Sequence, residues 1–229
     1  VKNVFVVFCR FVLAWLLLFV SVALVSAMLG MPVEIDRQNA AFPLLFGFVG
    51  GLLFFSFITH FTPVYVLGHE LTHWLAAKCF FRRTGSLKLG MRQGSVAVER
   101  PNVWIVLAPY FIPLYALVWI GLYGTLCFWR QEPGPVWTRT FYGGLGLTYA
   151  FHTVLTLCAL SREQEDLQLY GRFFSLSLVL FSNLALLFLA LVMANRAWGR
   201  GIELFLFGLG RECRGLLHAL EASKRLLGR

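Results

Sequence analysis

Apolar residues in this chain gather into runs close to the length of a membrane-crossing helix, at 4–30, 42–60, 63–81, 102–128, 139–160 and 171–195. A helix rises about 1.5 Å per residue, so roughly 20 apolar residues cross the ~30 Å of hydrocarbon in a bilayer. The pattern predicts an all-α, multi-pass membrane protein with about six transmembrane helices. The first run, "VFVVFCRFVLAWLLLFVSVALVSAMLG", is longer than the ~7–15 apolar residues of a secretory signal and has no convincing small-residue cleavage site. It reads as a span, with Arg10 close enough to its start to reach the interface.

Two stretches break the pattern. Residues 82–101, "RRTGSLKLGMRQGSVAVERP", combine glycine punctuation with the alternation Ser95-Val96-Ala97-Val98, which predicts a short β-hairpin or edge strand at the membrane surface. From 199 to 229 leucines interleave with Arg, Lys and Glu, predicting an amphipathic helix on the interface. The chain thus divides into one transmembrane domain, 1–198, and an interfacial tail, 199–229. Thr62-Pro63 reads as an N-cap followed by proline at the first helical position. Ser161-Arg162-Glu163-Gln164 reads as a capping box, so the last span would begin near 162.

Composition agrees with this reading. Of 229 residues, 59% are hydrophobic and 14% charged, against roughly 45–50% and 25% in soluble domains. The net charge of +9 would suggest nucleic acid in a soluble chain. Here no aromatic-and-basic nucleic-acid module is visible, and Lys and Arg flank spans as cytoplasmic loops do. The expected partner is the lipid bilayer, in a cell membrane of bacterial type, and nucleic acid is excluded. Cys9, Cys79, Cys127, Cys158 and Cys213 are odd in number, widely spaced and without a C-x-x-C pair. They predict neither a disulfide framework nor a thiolate metal site.

Charge also sets a conflict. Arg82, Arg83, Lys88, Arg92 and Arg100 stand against Glu99 in the hairpin segment, and seven basic residues against three acidic in 196–229. Both segments should be cytoplasmic, yet three predicted spans lie between them. One span between 102 and 160 therefore fails to cross, or the rule fails. The run with Pro109 and Pro113 and the run with Gly143, Gly144 and Gly146 are the candidates.

The third run carries "VLGHELTHWLAAKCFF". His69 and His73 are spaced i, i+4, so both imidazoles share one helix face with Glu70 close by, the H-E-x-x-H arrangement. Two imidazoles and a third ligand hold Zn²⁺ tetrahedrally with one position open to water. The ion lowers the water's pKa toward ~7, and a glutamate can take its proton as it attacks a carbonyl. A charge at the bilayer centre costs at least ~2.5–3.5 kcal/mol, so such residues in a span are rare and usually functional. The bland alternative is a polar cluster that only joins helices.

For the third ligand, His60 falls in an interfacial turn and His218 in the tail. That leaves His152 and the acidic group Glu163, Glu165 and Asp166. Counting along straight helices puts His69 and His73 ~10 and ~16 Å into theirs and His152 ~20 Å into a parallel one. Asp166 starts from the opposite face and reaches the motif only if the site is near mid-bilayer or an intervening span turns back. The third ligand is Asp166 or His152.

The chain resembles the site-2 protease family of intramembrane zinc metalloproteases, through Gly68-His69-Glu70-Leu71-Thr72-His73, the β-like segment after it and "LAPYFIPLYAL" in the following run. The resemblance covers about 42–185. It implies His69 and His73 as zinc ligands, Glu70 as general base and an aspartate as third ligand, normally in an N-P…L-D-G pattern. The nearest match here is Glu165-Asp166-Leu167-Gln168, without the glycine. The expected function is zinc-dependent hydrolysis of peptide bonds in membrane-embedded or membrane-adjacent substrates. Asn183 or a protonated His152 is a candidate oxyanion donor, Thr59, Thr62 and Thr72 candidate lining of a water cavity, and the 95–98 strand a candidate edge for an extended substrate. The alternative is a non-catalytic membrane subunit with a structural or vestigial metal site. Against it stands Glu70, because a structural site needs ligands rather than an unliganded carboxylate beside an open position. A metal transporter would repeat ligands along a path, and only one cluster is present.

Overall fold

The apolar runs become helices because only a helix satisfies every backbone group without water. A computed structural model describes residues 4–32, 36–57, 62–90, 94–130, 134–161 and 165–227. Helices α1 (Val4–Gly30), α2 (Phe42–Phe57, entered by a π-turn at Arg37–Ala41) and α3 (Thr62–Cys79) precede an antiparallel hairpin, β1 (Thr84–Leu89) and β2 (Gly94–Val98). The hairpin pairs Leu87 with Val96 and Leu89 with Gly94. Then follow α4 (Val103–Leu107), a 3₁₀ turn (Ala108–Tyr110), α5 (Leu114–Arg130), α6 (Pro135–Ser161), α7 (Glu165–Leu169), α8 (Arg172–Ala194) and α9 (Trp198–Leu227).

The chain forms two compact units, Val1–Glu34 with Gly171–Arg229, and Ile35–Tyr170. In the first, α1 packs on α8 and α9 through small side chains, among them Ala14, Ser21, Ala23 and Ala27 of α1 and Ser175, Ser177 and Ser182 of α8. Small residues let backbones approach where lipid gives no hydrophobic drive to association. The hydroxyls of Ser21 and Ser177 donate back to the carbonyls of Leu17 and Phe173. The first half of α9 lies along α1, with Gly208 against the Ala23 carbonyl and Arg211 donating to Ser26. Beyond it Leu216, Leu217 and Leu220 are exposed.

In the second unit the principal seam joins α2 and α6. Gly47 and Gly51 on α2 face Gly143, Gly146 and Ala150 on α6. A Cβ on Gly146 would meet the Leu44 carbonyl and, at 2.7 Å, the Phe48 amide nitrogen, and one on Gly51 would meet Ala150 Cβ at 2.7 Å. The fifth run is therefore an unbroken helix, and its glycines serve contact rather than bending. Gly146→Ala is expected to destabilise the protein by about 1–3 kcal/mol through overpacking. Gly50→Ala, whose Cβ meets nothing within 4 Å, should be neutral or gain about 0.5–1 kcal/mol. Thermal unfolding of both variants in one detergent checks the contrast.

Four helical segments are long and apolar enough to cross a membrane: Val4–Gly30, Arg37–Phe57, Pro135–Leu160 and Arg172–Ala194. A fifth is available if Val103–Tyr110 and Leu114–Arg130, bent by 76°, count as one. The break falls where Pro109 and Pro113 remove amide donors and disfavour helical geometry in the residues before them. The α3 helix is not in this set, because His69, Glu70, Thr72, His73 and Lys78 dilute its apolar residues. The last run is not one helix from the capping box onward: α7 ends at Leu169, Gly171 has φ +96°, and α8 starts at Arg172. Residues 162–164 of that box lie outside the described residues, as do Thr59, His60 and Arg92.

Candidate metal centre

The α3 helix brings His69 and His73 together as their spacing requires, with Nε2 atoms 3.2 Å apart. Asp166 Oδ2 lies 3.4 Å from His69 Nε2 and 3.5 Å from His73 Nε2. The carboxylate reaches them because its neighbour Leu167 is 1% exposed, α7 packs against α4, and the Tyr170 hydroxyl donates to the Pro101 carbonyl. Among the described residues these three form a group able to hold a metal ion. Ligands at about 2.0–2.1 Å from a tetrahedral zinc stand roughly 3.3–3.4 Å from one another, close to the 3.2, 3.4 and 3.5 Å observed.

Hydrogen bonding fixes which ring atoms face inward. His73 Nδ1 is 2.8 Å from the Ile105 carbonyl oxygen, a group that only accepts. The neutral ring therefore carries its proton on Nδ1 and presents a lone pair at Nε2. The Tyr65 hydroxyl, one turn before His69, lies 3.3 Å from His69 Nδ1 and can accept from it in the same way. Two lone pairs and a carboxylate oxygen converge with no donor among them, an arrangement that suits a cation.

The rest of the site is packed around α3. A Cβ on Gly94, at the start of β2, would fall 2.6 Å from Glu70 Cγ, so the second strand of the hairpin begins directly against the glutamate. The Tyr115 ring rests on Gly68, and its hydroxyl donates to the Val64 carbonyl. The Tyr110 hydroxyl donates to Asp166 Oδ2 at 3.0 Å, and its ring lies edge-on to His69 at 5.5 Å.

His152 is not in the ligand group. It helps line a cleft of about 30 Å³ with Tyr65, His69, Tyr115, Phe151 and Thr156, space for a water or two. It misses the group because α6 packs along α2 rather than beside α3. Thr72 also lines the cleft, with its hydroxyl donating to the Gly68 carbonyl. Glu165 is exposed, and Glu163 lies outside the described residues. Asn183 is on α8 in the other unit and donates to the Val179 carbonyl. His218 is exposed on α9, 4.0 Å from Glu221. The five cysteines carry no disulfide.

Sequence reasoning missed Tyr65, Ile105 and Tyr110. Tyr65 had a signal, sitting four residues before His69 on the same face. Tyr110 had a weaker one, a phenol between Pro109 and Pro113 in an apolar run. Ile105 had none, since it contributes a carbonyl. Comparison with protein-family models, with curated proteins and with solved structures finds no match to this chain.

Proposed function

We propose that the chain is an intramembrane zinc metalloprotease of the site-2 protease type. The observation that carries this reading is the convergence of His69, His73 and Asp166 beside Glu70, in a chain with four membrane-length apolar helices. Zinc, when held there, supplies the Lewis acidity that brings a water's pKa toward ~7. His69 and His73 would hold the ion through Nε2 and Asp166 through Oδ2. Glu70 takes the proton of the attacking water and passes it to the leaving amine. The outer edges of the two-stranded hairpin can hydrogen-bond an extended substrate segment of a membrane-embedded or membrane-adjacent protein. The apolar face of α9 lies at the membrane interface.

The first experiment is zinc content of purified protein. About one zinc per chain is expected in the wild type and in His152→Gln. Absence of zinc from folded wild-type protein would favour the non-catalytic membrane subunit.

A further inference from the structure

Asp166 belongs to a five-residue helix, and its side chain is 29% exposed. A carboxylate on so short an element is not fixed by its own backbone, and in a metal site the carboxylate ligand is normally oriented by an outer hydrogen bond. Tyr110 is built to supply one. It is 1% exposed, sits in the 3₁₀ turn at the break between α4 and α5, and directs its hydroxyl to Oδ2, the oxygen that faces both imidazoles. The same segment supplies the Ile105 carbonyl to His73 Nδ1. Residues 105–110 thus hydrogen-bond two of the three ligand side chains and pack the Tyr110 ring on the third.

We propose that Tyr110 is the positioning residue of the metal centre, holding Asp166 Oδ2 toward His69 and His73. The inference rests on the zinc reading above and adds to it. The break at 108–113 directs the phenol inward, where a continuous helix would have carried its backbone past the site. The bond goes to the oxygen that faces the metal position, so its loss weakens binding by freeing the carboxylate to rotate. The Tyr110 ring packs against His69 and remains in place in Tyr110→Phe, which removes the hydroxyl alone.

The test is Zn²⁺ affinity by chelator competition and the visible spectrum of the Co²⁺-loaded full chain, for wild type, Tyr110→Phe, Asp166→Ala and the double variant. Tyr110→Phe is expected to bind Zn²⁺ about 10–100-fold more weakly and to shift the Co²⁺ bands. In the Asp166→Ala background, which removes the acceptor of the Tyr110 bond, the same substitution should change affinity by less than about twofold, because independent sites add and coupled ones do not. Equal losses in both backgrounds would mean general loosening of the fold and would overturn the proposal. So would a Tyr110→Phe protein with wild-type affinity and spectrum. A wild type that binds neither ion overturns the zinc reading itself, and this inference with it; that result is recognised from the wild-type arm alone.

Discussion

Glu70→Gln is expected to lower peptide-bond cleavage by about 10²–10⁴-fold, the usual contribution of a positioned general base, while zinc content stays at the wild-type level. The reasoning is geometric. Glu70 is next to His69 in sequence but is not in the ligand group, so its carboxylate can serve the attacking water. Glutamine keeps the shape and loses the basicity. Turnover of a detergent-solubilised substrate protein, measured beside zinc content on the same preparation, checks the prediction. Loss of zinc along with activity would make Glu70 a ligand or a structural support. Full activity would remove it from the mechanism.

Asp166→Asn should have the opposite profile, losing metal first and activity in consequence. Removing an outer-shell partner costs about 10–100-fold in metal affinity, and loss of an anionic ligand should exceed that, so a drop of at least ~100-fold is expected. Asparagine keeps an oxygen to accept the Tyr110 hydrogen bond, which makes the change one of charge rather than of packing. His152→Gln should leave zinc bound, since His152 lines the cleft and is outside the ligand group. Should His152→Gln release the metal while Asp166→Asn retains it, the two candidates would exchange roles and the observed ligand geometry would not be the working one.

Much of the architecture was legible in the sequence because apolar run length is a local property. The boundaries of α1 and α8 fall within a residue or two of the runs at 4–30 and 171–195, and the hairpin follows its glycines and its alternation. The positions that misled involve contacts between distant segments. Glycine at 143 and 146 signals weakness in a lone helix, and only α2 across the seam turns it into a contact surface. The charge conflict, with Pro109 and Pro113 or Gly143, Gly144 and Gly146, named the fourth and fifth runs as the candidates for failing to cross; the fourth is bent by 76° and the fifth is a continuous helix. The step from that break to the third ligand was harder. Depth counting along straight spans favours His152, whereas Asp166 depends on α7 docking against α4, which the capping-box pattern does not encode.

The low apolarity of α3 bears on how the protein is made. On the intramembrane reading, α3 leaves the ribosome before every segment that covers its polar face, since Ile105, Tyr110 and Asp166 all lie later in the chain. Ionisable residues at a helix centre resist insertion by about 2.5–3.5 kcal/mol each, and α3 lacks the surplus of apolar residues that carries α1 into lipid. Secure insertion of α3 therefore waits on translation of at least a further ninety or so residues. A chain stalled before α7 would hold its histidines and glutamate at the threshold of the membrane, exposed to the machinery that removes unfinished proteins.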